Sequence, residues 1–177
     1  MDFYDPGPLR RVAINLFYGW GYSFYRLENQ WRADDQLVRA KAAGLLARAH
    51  AALDRVEQDF RREKLPPPSQ AHPFPDAGAV ANCQKLERLG AEIGGLTGRL
   101  HALPAPENDR MTQRYRSEAE TLIKLGAIDA QLVGQCELLR ASLDGKPGDW
   151  VLENLATLQG GLAAIGETVR ERQAVLT

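Results

Sequence analysis

The chain has 177 residues, 44% of them hydrophobic and 25% charged, with a formal net charge of −1. That length suits one domain with a core of its own and excludes a mini-protein that depends on staples. The near-zero charge argues against a nucleic-acid binder that works by releasing counterions from phosphates. Glycine is abundant, with 16 occurrences, and 9 of the 13 aromatic residues fall within the first 31 positions.

Cys83 and Cys136 are the only cysteines, and one possible pair cannot build a secreted disulfide scaffold. His50, His72 and His101 lie far apart and match no metal-ligand spacing, neither H-E-x-x-H nor E-x-x-H, so no metal or other cofactor is expected. The longest uncharged run, Val12 to Tyr25, has 14 residues, short of the ~20 that span a bilayer. Arg10-Arg11 before it loosely resemble a twin-arginine leader, but Asp2 and Asp5 precede them and no small-residue cleavage site follows. A cytoplasmic chain with no transmembrane segment is the expectation.

In chain order, residues 1–31 read as an aromatic N-terminal arm. Its stripe, Leu9, Ala13, Leu16, Trp20, Phe24, Leu27 and Trp31, has helical period. The arm is either a separate helix, broken near Ala33-Asp34-Asp35 with Asp34 as N-cap, or continuous with the helix that follows. Residues 32–63 carry Val38, Ala42, Leu45/Leu46, Ala49, Leu53, Val56 and Phe60 on one face. Pro66-Pro67-Pro68 ends that helix and opens a proline-rich connector over 64–76. The connector reads as a plain spacer, with a proline-rich recognition peptide as its functional alternative.

Asp76 suits the N-cap of a helix over 77–103, with stripe Ala79, Cys83, Leu86, Ile93 and Leu100. Pro106 and Glu107 open a helix over 107–143, whose stripe is Met111, Tyr115, Leu122, Leu125, Leu132, Cys136, Leu139 and Leu143. Asp149 is the expected cap of a last helix over 149–176, with Val151, Leu155, Leu158, Leu162, Ile165 and Val169 as core face. Short turns after Leu103 and Leu143 predict antiparallel neighbours. The expected fold is therefore all-α: one domain, an antiparallel up-down four-helix bundle with an additional aromatic-rich N-terminal helix.

That register sets Cys83 opposite Ile128 and Cys136 eight residues beyond, about 12 Å along the axis and too far for a disulfide. Both thiols are expected reduced and buried. The same register offers a contact between Asp129 and Asn82, against the plainer reading of Asp129 as a solvated edge carboxylate. Twelve glycines fall inside the expected helices, among them Gly90, Gly94 and Gly98 at every fourth position. Each costs about 1 kcal/mol against alanine, which suggests close helix packing or a groove for a flat ligand.

Two groups are candidate sites. Phe17, Tyr18, Trp20, Tyr22, Phe24, Tyr25 and Trp31 crowd rings onto more than one side of the arm, and tyrosine suits partly wet contact surfaces. Arg110, Arg114 and His101, with Arg116, Arg10-Arg11, Arg32 and Arg172 gathered at the same end, could hold an anion. No nucleophile and base can be assembled. The expected function is that of a non-enzymatic interaction protein, docking through the arm onto a second copy or another protein. A small-molecule or anion-binding, even catalytic, bundle with an arginine-lined pocket is the alternative, and membrane-surface association through the arm a third.

Overall fold

The computed structural model describes residues 31–68, 70, 73–103 and 119–176. Among them are five helices and no strand: α1 Trp31–Lys64, α2 Ala77–Ala102, α3 Ala119–Leu143, α4 Gly148–Glu153 and α5 Leu155–Leu176. The all-α expectation holds for these residues. Residues 1–30, and with them most of the arm, lie outside the described residues, as do 104–118.

Helix α1 runs unbroken through Ala33-Asp34-Asp35, so of the two alternatives the break there, with Asp34 as N-cap, does not occur. None of the three is glycine or proline, and aspartate costs less than about 1 kcal/mol in a helix, too little to interrupt one that tertiary packing supports. The expected stripe from Val38 to Phe60 is buried in full. The helix stops where prolines follow, with three basic residues, Arg61, Arg62 and Lys64, in its last turn against the negative end of the dipole. Asp76 caps α2 as expected: its carboxylate accepts a hydrogen bond from the Ala79 amide at 2.7 Å.

The last segment departs from expectation. It is two helices, and the residue before the first is Pro147, which makes no side-chain cap, while Asp149 lies inside the first turn. Proline is preset for the extended backbone at that position (φ −76, ψ 160), so the helix begins one residue early. Asn154 separates α4 from α5. Its side-chain amide donates to the Trp150 carbonyl at 2.9 Å, the local competition with the helix ladder for which asparagine is known.

The four long helices share one hydrophobic core. Helix α2 packs on α1 and α5, and α3 packs on the same two, so α2 and α3 are diagonal. This corrects the expectation that each turn joins antiparallel neighbours. The 16 residues from Leu103 to Glu118 that link α2 to α3 are ample to cross a bundle diagonal of roughly 14 Å, given helix spacings of 8–10 Å. The register built across that turn fails with it.

Side-chain contacts give the directions. Arg61 pairs with Glu87 and Arg39 with the Leu103 carbonyl, so α1 and α2 are antiparallel. Arg172 meets Asp129, with α5 returning along α3 after the turn at Gly145 (φ 66). Phe60, near the end of α1, lies against Gly148, just past the end of α3, so α1 and α3 run the same way. By the same logic α2 and α5 are parallel neighbours, joined by Gln159 donating to Glu92 at 3.0 Å. Because Arg39 already reaches the C-cap of α2, the first eight residues of α1 extend about 12 Å past that end of α2.

Candidate functional site

Of the residues proposed for partner binding, Phe17, Tyr18, Trp20, Tyr22, Phe24 and Tyr25 lie outside the described residues. Trp31 opens α1. Of the anion cluster, Arg110, Arg114, Arg116 and Arg10-Arg11 likewise lie outside. His101 is exposed in the last turn of α2.

Arg172 corrects its expectation. It is buried within α5, its side chain only 2% exposed, and its Nε donates to the Asp129 carboxylate at 2.5 Å; the Asp129 side chain is 7% exposed. The pair joins two antiparallel helices inside the protein, so Arg172 is not part of a solvent-facing anion cluster. Asp129 is neither an edge carboxylate nor a partner of Asn82, whose side-chain oxygen accepts from Lys85. Two opposite charges removed from water require each other, because either one alone would be an uncompensated buried charge.

Both cysteines are buried and free, as expected. Burial pushes the Cys136 thiol far above its ordinary value, with the nearby Glu137 charge adding to the shift. Cys83 is also raised, chiefly by burial. Neither is an activated nucleophile, since reactive thiols need a lowered pKa.

The glycine stripe of α2 is only in part a packing feature. At Gly90 and Gly94 an added Cβ would come to 3.7 Å from the His50 ring, so the small residues let α1 lay a histidine over α2. His50 Nδ1 also lies 3.0 Å from the Asp54 carboxylate, one turn on. The shallow cleft there, about 190 Å³, adds Glu57 and Glu87 to this pair, and its lining holds no hydroxyl, thiol or amine nucleophile. Gly98 and Gly126 face open space, so close packing does not account for them.

A larger groove, about 600 Å³, separates the parallel helices α2 and α5. Leu96 and Leu162 form its buried floor, and Arg99 and Arg170 stand toward one end. Sequence reasoning did not identify this groove, because it depends on α2 and α5 being neighbours. On the connector, Pro66, Pro67 and Pro68 are exposed, and Phe74 is 84% exposed between Pro73 and Pro75.

Among the described residues no group of histidine, cysteine and carboxylate side chains is arranged to hold a metal ion, and no helix is long and apolar enough to cross a membrane. No family model matches the sequence, and no curated protein or solved structure matches it either.

Proposed function

We propose that this chain is a non-enzymatic interaction protein, an up-down four-helix bundle whose aromatic N-terminal arm docks on a second copy of itself; docking on a different protein is the other form of the same reading. The observation that carries it is the unbroken start of α1. The helix includes Trp31, the last ring of the arm, and projects about two turns beyond the end of α2. The arm's stripe enters α1 in phase, since Trp31 and Val38 are one heptad apart and Val38 is buried in the core.

Phe17, Tyr18, Trp20, Tyr22, Phe24 and Tyr25 crowd six rings into nine positions just before that projection. Aromatic side chains of this kind dominate the energetic centres of protein interfaces. Leu37 supports the reading: it lies on the projecting turns and is 46% exposed, one of two large exposed hydrophobics among the described residues. Sedimentation of the full chain at micromolar concentration tests the proposal. A dimer that becomes a monomer when Trp20 and Phe24 are made polar is the expected result, and a monomer throughout removes the homodimer. Liposome flotation of the same two proteins tests membrane-surface association, which this reading does not expect.

A further inference from the structure

We infer that the groove between α2 and α5 is a binding site for a single-chain anionic amphiphile, a fatty carboxylate held by its head at Arg99 and Arg170. Three independent features of the groove agree on that chemistry. Its floor is apolar, made by Leu96 and Leu162, both buried in the core. Its walls leave room: Gly95 on α2 and Gly166 on α5 line it, and an added Cβ at either would meet no heavy atom within 4 Å.

The volume, about 600 Å³, falls in the ~300–1,000 Å³ range of small-molecule sites. The lining runs from Glu92 to Arg99 and from Gln159 to Arg170, roughly 10–16 Å along the helices, which suits a medium-length alkyl chain.

Charge sets the orientation. Arg99 and Arg170 come from different helices, both are exposed, and neither has an ion-pair or hydrogen-bond partner among the described residues. The one carboxylate of the lining, Glu92, lies toward the opposite end and accepts from Gln159. A carboxylate head is therefore drawn to the arginine end, where guanidinium groups can grip it through charge-assisted hydrogen bonds. Arg99, in the last turn of α2, is also favoured there by the dipole alone, so the test must separate ligand binding from helix stabilisation.

The probe is dodecanoate below its micellar concentration, titrated calorimetrically into the full chain, with dodecanol and dodecylamine as uncharged and cationic controls. Saturable one-to-one binding of dodecanoate is expected, at least tenfold tighter than either control. Arg99→Gln with Arg170→Gln should weaken it at least tenfold, and Gly166→Leu, which fills the groove, should abolish it. All these positions are on the surface or face open space, and unchanged circular dichroism and thermal midpoint confirm that the variants fold as the parent does. Absence of saturable binding overturns the inference. So do dodecanol binding as tightly as dodecanoate, and affinity unchanged in both variants.

Discussion

Replacing Arg172 by methionine leaves the Asp129 carboxylate buried without the guanidinium that now touches it at 2.5 Å. The direct attraction is about 4 kcal/mol for charge centres ~4 Å apart at an effective dielectric of ~20. Part of it offsets the desolvation of two side chains that are 2% and 7% exposed. Breaking such a pair from one side costs about 3–5 kcal/mol, whereas replacing both partners by apolar residues of similar volume is often neutral or stabilising. For a chain of 177 residues the single change should lower the thermal midpoint by about 6–20 °C. The double variant Asp129→Leu/Arg172→Met should recover most of that loss. Urea denaturation of the four proteins of the cycle measures the coupling directly, and raising the salt should change it little, because the pair is shielded from solvent ions. A loss below about 1 kcal/mol for Arg172→Met, the range of exposed pairs, would refute the placement of this pair in the interior.

Gly148→Ala should destabilise by about 1–3 kcal/mol although alanine is the better helix former, because the new Cβ would lie 2.5 Å from Phe60 Cδ2 and 3.0 Å from its Cβ. Phe60→Leu in the same background should restore part of the loss in a denaturant melt, and an alanine variant as stable as the parent would contradict the close approach. The thiol of Cys136 titrates higher in the folded chain than its ordinary value of 9.0, so its contribution is complete below that pH and falls as pH rises past it. Stability measured in denaturant from neutral pH to about pH 10 should decline by up to ~1.4 kcal/mol per pH unit from this group, and Cys136→Ala should flatten the decline. In the native state neither cysteine should react with a thiol reagent until the chain is unfolded.

Much of the fold is legible in the spacing of apolar residues. The stripe of α1 is periodic from Val38 to Phe60 and every member is buried, and the prolines and Asp76 mark real ends. The start of the last segment at Pro147 and its division at Asn154 were not legible, because these residues act through backbone preferences that periodicity does not register. Helix α3 is the harder case: Ile128, Val133 and Gln135 are buried beside its main stripe, so it has little amphipathic contrast to read.

The Asp129–Arg172 pair was legible in principle. Asp129 lies four residues after Leu125 and three before Leu132, and Arg172 three after Val169, so each occupies a core position of its stripe. Opposite charges at core positions of two helices joined by the short turn after Leu143 point to each other. The α2–α5 groove was not legible in the same way. It arises because α2 and α3 are diagonal, and which helices become neighbours is decided by the packing of whole faces rather than by any local signal.

The association of the full chain tests the account most directly. Sedimentation equilibrium at micromolar concentration should give the mass of two 19.6 kDa chains for the parent, and of one for the variant carrying Trp20→Ser and Phe24→Ser. A parent that sediments as a single chain at every concentration, or a variant that remains as dimeric as the parent, would contradict docking through the aromatic arm.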